Sequence, residues 1–108
     1  MDITNFKDSF ELLSIITDDV LTFPKVYKHT LGQKLQNAAI DCFHCQFMEN
    51  RERSPTKKKE YEENFKNKFS FLRVLIRLCA EKKVLSIKQL ARISEVIYRI
   101  EDTFNDKE

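Results

Sequence analysis

Apolar side chains recur along this chain at intervals of three and four, the spacing that gathers them on one side of an α-helix. Four segments carry the pattern. In the first, about residues 3–21, Ile3, Phe6, Phe10, Leu13, Thr17, Val20 and Leu21 share a face. It stops ahead of Phe23-Pro24, because proline disfavours helical backbone in the residue before it. The second, about 31–52, lines up Leu31, Leu35, Ala38, Cys42 and Cys45. Thr30 and Gln33 have the spacing of a capping box at its start. Ser54-Pro55 supplies an N-cap and a first-turn proline for the third helix, about 56–83. Its stripe is Tyr61, Phe65, Phe69, Leu72, Ile76 and Cys79. The fourth, about 87–105, follows Ser86, whose partner Gln89 makes a second capping box. Leu90, Ile93, Ile97, Ile100 and Phe104 form its stripe.

Short joints between consecutive helices force antiparallel neighbours. The predicted fold is therefore all-α: a single-domain, antiparallel, up-down four-helix bundle spanning residues 1–108. Apolar residues remain after the core is filled. Ile40, Phe43 and Phe47 point away from the core stripe of the second helix, and Phe71, Val74 and Leu78 flank that of the third. Ile40, Phe43 and Phe47 form the candidate interface of a homo-oligomer.

Composition supports helices. One glycine and two prolines in 108 residues leave little material for the turns of a sheet protein. The net charge of +2 conceals an asymmetry. Residues 1–24 hold five acids against one base, and residues 25–108 hold eighteen bases against twelve acids. No apolar segment approaches the ~20 residues that span a bilayer. No charged leader precedes an apolar run, and three cysteines do not make a disulfide framework. The expectation is a cytoplasmic protein with reduced thiols and no membrane contact.

The basic residues are patterned. Lys59, Lys66, Arg73 and Arg77 fall in a narrow arc of the third helix, and Lys88, Arg92 and Arg99 do so on the fourth. Such arcs are solvated outer faces or surfaces for a polyanion. With little aromatic interleaving on them, nucleic-acid binding there would be electrostatic, not a matter of base stacking. There is no glycine-rich phosphate loop, no HExxH motif and no local nucleophile signature, so no catalytic residue and no cofactor are predicted. The stretch DCFHC (41–45) places Cys42 and Cys45 on the core stripe with His44 pointing elsewhere. Only Cys79 is placed to join them, too few donors for zinc, and no metal site is predicted.

The stretch FPKVYKHTLGQKLQNAAID (23–41) resembles the Avd family, the accessory variability determinants of diversity-generating retroelements. The match lies in Phe23, Pro24 and Lys25, then Thr30, Leu31, Gly32, Gln33, Lys34 and Leu35, with Ala38 and Ala39 a turn on. The later segment 71–100 is similar to the family's last two helices, with Leu72, Arg73, Arg77 and Leu78 ahead of a short turn. The resemblance implies a four-helix bundle that assembles as a homopentamer. It also implies a non-catalytic accessory role: binding a reverse transcriptase and its template RNA, or an RNA/DNA hybrid, to support mutagenic cDNA synthesis. The chain departs from the family at its end, where IEDTFNDKE lacks a glycine-and-tryptophan segment. Bundles encoded in ribosomal RNA intervening sequences share the Phe-Pro-Lys entry, usually followed by an Asn-Ile-Ala-Glu-Gly run that this chain lacks. They supply the alternative, a structural interaction protein with no nucleic-acid role.

Overall fold

The computed structural model describes the backbone of residues 3–106 and the side chains of residues 6–104. Four long helices, α1 (Ile3–Val20), α3 (Leu31–Arg51), α4 (Pro55–Glu81) and α5 (Ile87–Asp106), account for most of it. A single turn, α2 (Lys25–Lys28), lies in the first joint. No strand occurs among the described residues. The helix ends fall within two residues of the predicted ones, the usual play at a fraying terminus. A radius of gyration of 14.1 Å, close to the ~13 Å of a folded 100-residue domain, marks one packed unit.

Helix α1 packs on α3 and α5, and α3 packs on α4. Helices α4 and α5 meet through side chains: the Phe104 ring lies edge-on to Phe65 and Phe69, at 5.6 and 5.8 Å between centroids. On α3, Leu35, Ala38, Cys42 and Cys45 are buried as predicted, as are Phe65, Phe69, Leu72, Ile76 and Cys79 on α4 and Ile93, Ile97 and Ile100 on α5.

Helix α1 departs from its predicted face. Leu12, Ile16 and Val20 are buried, whereas Phe10, Thr17 and Leu21 are exposed. The side chain of Ile3 lies outside those described. The cause is that α1 touches two helices at once and buries polar residues, Asp8, Ser9 and Asp19, within the face that meets them. The aromatic residues Phe6 and Phe10 sit to one side, against Phe43 of α3.

Of the two predicted capping boxes, one forms. At α5 the Ser86 hydroxyl accepts from the Gln89 N–H at 3.0 Å, and the Gln89 side-chain carbonyl accepts from the Ser86 N–H at 2.9 Å. At α3 the Thr30 side chain does not cap. Its hydroxyl turns back to donate to the Val26 carbonyl at 3.0 Å, because α2 ends immediately before it and presents that group first. Ser54 caps α4 as predicted, accepting from the Lys57 N–H at 3.5 Å with Pro55 behind it.

The joint between α1 and α3 is tight. Phe23 is buried, and a Cβ on Gly32 would lie 3.0 Å from Val20 Cγ1, 3.2 Å from the Phe23 ring and 3.2 Å from the Tyr27 carbonyl oxygen. The glycine is there because the first turn of α3 presses on the end of α1 and on the backbone of α2. At the end of α4 the backbone reverses the other way. Lys83 adopts φ 60°, its N–H donates to Ala80, and the Val84 N–H donates to Cys79. This is the Schellman arrangement, normally built on glycine.

These two positions have opposite expected responses. Gly32→Ala gains about 0.8–1.0 kcal/mol of helix propensity but overpacks a buried contact, at about 1–3 kcal/mol. Chemical denaturation is expected to show a net loss on the order of 1 kcal/mol. Lys83→Gly relieves the ~1–2 kcal/mol left-handed cost against ~0.5–1 kcal/mol of glycine entropy. Its denaturation midpoint is expected to rise, by up to about 1 kcal/mol in stability.

Candidate functional site

Most of the predicted basic arcs are engaged within the chain. On α4, Lys66 approaches Glu62 at 3.9 Å and lies 5.5 Å from the centre of the Phe104 ring. Arg73 pairs with Glu101 of α5 at 3.0 Å, and Arg77 with Glu81 one turn on at 3.5 Å. On α5, Arg92 binds Asp19 of α1 at 2.9 Å, and Arg99 reaches Glu11 at 2.7 Å and Asp8 at 3.8 Å. Lys59 and Lys88 are exposed and make no ion pair among the described residues. The exposed Arg77–Glu81 pair contributes only ~0.3–0.5 kcal/mol and leaves the arginine available. Arg92 and Arg99 are different: they hold α1 against α5.

The Asp19 contact is the more consequential. The carboxylate is buried, and its Oδ1 accepts from Arg92 and, at 3.3 Å, from the Gln89 amide. That amide also donates to Thr22 Oγ1 at 3.1 Å, so the residue that caps α5 also ties α5 to the end of α1. Burial pushes the Asp19 pKa above its ordinary 3.8, and Arg92 and Gln89 only partly offset this. Arg99 is held charged by its hydrogen bond to Glu11.

The candidate assembly residues differ in setting. Ile40 and Phe47 are exposed, and Arg51 lies 5.4 Å from the Phe47 ring centre. Phe43 is half-buried, with Phe6 at 5.0 Å and Phe10 at 5.7 Å between ring centroids. What covers Phe43 here is the chain's own α1, a contact that the second helix's pattern alone could not reveal. Phe10, at 57% exposure, continues the apolar surface towards solvent. On α4, Phe71, Val74 and Leu78 are exposed.

Within DCFHC, Cys42 and Cys45 are buried and His44 is exposed. Burial raises the thiol pKa values, to about 12 at Cys42 and about 11 at Cys79, which keeps these sulfurs protonated and poor as ligands or nucleophiles. Among the described residues no three His, Cys, Asp or Glu side chains are grouped to hold a metal.

One surface was not anticipated. A groove of about 480 Å³ runs between α3 and α4, edged by Lys34, Asn37 and Asp41 from one helix and by Asn67, Lys68 and Phe71 from the other. Its floor is Ala38. The signal lay in the spacing: residues 34, 37 and 41 recur at helical pitch, as do 67 and 71, but only the packing of α3 on α4 turns the two rows to each other.

No protein-family model matches the chain, and no curated protein matches it. Among the described residues no helix is long and apolar enough to cross a membrane.

The α1–α5 contact predicts a specific pH response. Folding raises the Asp19 pKa, so the folded state holds that proton more tightly than the unfolded chain does. The stability this provides is fully present below 3.8 and is lost as pH rises through the raised value. Asp19→Asn is expected to flatten the stability profile in that window, measured as urea midpoints against pH. Arg92→Ala leaves the buried carboxylate with less support. It is expected to cost about 1–3 kcal/mol, between the values for surface and buried pairs.

Proposed function

We propose that this chain is a non-catalytic accessory protein of a diversity-generating retroelement. In this reading it binds the reverse transcriptase and the template RNA, or an RNA/DNA hybrid, in the cytoplasm, as a homo-oligomer with five subunits. The observation that carries the proposal is the run from Phe23 to Ala39, with its Phe-Pro-Lys and Thr-Leu-Gly-Gln segments. The fold supplies a physical reason for that run. Phe23 closes the end of the core, and Gly32 fits the close contact with Val20, Phe23 and Tyr27.

The finer architecture proposed is the antiparallel up-down bundle. Contacts that pair Asp19 with Arg92 and Glu11 with Arg99 support it, as do those that pair Thr17 with Gln36 and Phe10 with Phe43. In each pair of helices the residue numbers run in opposite senses. The exposed apolar residues Phe10, Ile40 and Phe47 support assembly, and Lys59, Arg77 and Lys88 support contact with a polyanion.

A second reading has an observation of its own. Lys66, Arg73, Arg77, Arg92 and Arg99 all meet carboxylates of the same chain. This favours a structural interaction bundle of the ribosomal intervening-sequence type with no nucleic-acid role.

Salt-dependent binding to a structured RNA separates the two. Changing Lys59, Arg77 and Lys88 together to glutamate leaves the α1–α5 pairs intact. It is expected to weaken binding more than tenfold and to reduce the salt slope by about 0.7–0.9 for each phosphate that is no longer neutralised. Binding unchanged at every salt concentration would reject these residues as the surface. Light scattering of the same protein is expected to give a mass well above the monomer's, and a monomer at high micromolar concentration would reject the assembly.

A further inference from the structure

We infer that the groove between α3 and α4 is a binding site for an unpaired base of single-stranded RNA, with the phosphates flanking it held by Lys34 and Lys68. This rests on the RNA-binding reading above, and it places the base contact on a different face from the predicted basic arcs.

Three features of the groove converge. The first is an aromatic platform. Phe71 lines it while remaining 59% exposed, so much of its surface is open to a partner. Stacking a base on such a ring needs no particular base identity. The second is unspent charge. Lys34 and Lys68 stand on opposite walls, and neither makes an ion pair among the described residues, unlike the arginines of the arcs. Their ammonium groups are free to meet a backbone on either side of a stacked base. The third is a set of groups that can read a base edge. The side-chain amides of Asn37 and Asn67 each offer donors and an acceptor, and Asp41 offers acceptors. A bidentate amide is the usual partner of adenine. Ala38 keeps the floor low, so the about 480 Å³ falls within the ordinary range for a small-ligand pocket.

A duplex does not satisfy this arrangement, because paired and stacked bases have no free face to lay on Phe71. A protein partner seated on Phe71 would also cover Val74 and Leu78, exposed further along α4.

The chain contains no tryptophan, which provides a direct probe. Phe71→Trp creates a single exposed indole on the groove wall. A short single-stranded RNA is expected to quench its emission on binding, and an RNA duplex of equal length is expected to leave it unchanged. In fluorescence anisotropy with end-labelled RNA, Phe71→Ala is expected to weaken single-strand binding roughly 5- to 100-fold and to leave the duplex affinity and the salt slope alone. Lys34→Ala and Lys68→Ala are each expected to lower the salt slope by about 0.7. If RNA binds but neither Phe71 variant distinguishes single strand from duplex, the groove assignment is wrong and the electrostatic reading stands. If no RNA binds at any salt concentration, both fall. If Phe71→Ala instead changes the mass in light scattering with RNA affinity intact, the residue belongs to a subunit contact and the assignment is overturned.

Discussion

The structure depends on buried carboxylates of α1 meeting arginines of α5. Asp8 lies in the second turn of α1 and Asp19 in its last, and both are buried. A carboxylate cannot leave water without a partner except at a cost of several kcal/mol. Arg99 and Arg92 supply that partner from α5, far away in sequence. If α5 were displaced along α1 by one turn, the partners would separate while the carboxylates stayed buried. Apolar contacts tolerate such a slip far better, since Leu and Ile side chains repack where a buried charge does not. The ion pairs therefore select the register of the two helices, even where their net contribution to stability is small. The raised pKa of Asp19 fits that division: the pair does not recover the whole cost of burial.

The same constraint changes the meaning of the charge distribution. An acidic first segment ahead of a basic remainder looks like a polarised surface, but much of it is matched internally. Arg92 and Arg99 answer the acids of α1, and Arg73 answers Glu101. What is left to face a polyanion is mainly lysine, at Lys59 and Lys88 and in the α3–α4 groove at Lys34 and Lys68. A long, strongly hydrated ammonium suits loose contact with phosphate, whereas the planar guanidinium suits the bidentate, geometrically fixed pairs that hold helices together.

Much of the fold was legible because three helices bury plain apolar stripes. The faces of α3, α4 and α5, the Ser86–Gln89 box and the Ser54-Pro55 start all follow from local rules that tertiary packing reinforces. Helix α1 is the exception, because local pattern assigns polar residues to solvent. Asp8, Ser9 and Asp19 break that assumption, and their compensation lies on another helix. Gln46 breaks it too: at 1% exposure its amide lies in the core without a hydrogen-bond partner among the described residues, a placement no periodicity foretells. Thr30 shows a different failure. Its capping sequence is correct, but the preceding turn of helix captures the hydroxyl first. The candidate groove was illegible for a topological reason, since each helix contributes half of it and neither half is distinctive alone.

The groove and the cysteines then share one explanation. Helix α3 turns small side chains inward at Ala38, Ala39, Cys42 and Cys45, while α4 buries Phe65, Phe69, Leu72 and Leu75. Small against large fills the interior at native density without forcing rotamers. At Ala38 this row of small side chains leaves the seam between the helices unfilled, and a depression remains between the walls. The sulfurs of DCFHC sit on the inward side of the same row, protonated by burial and acting as volume. The residues that look most like chemistry in the sequence are therefore packing. The groove lies along the outer edge of that row, where Ala38 leaves room between Lys34 and Phe71.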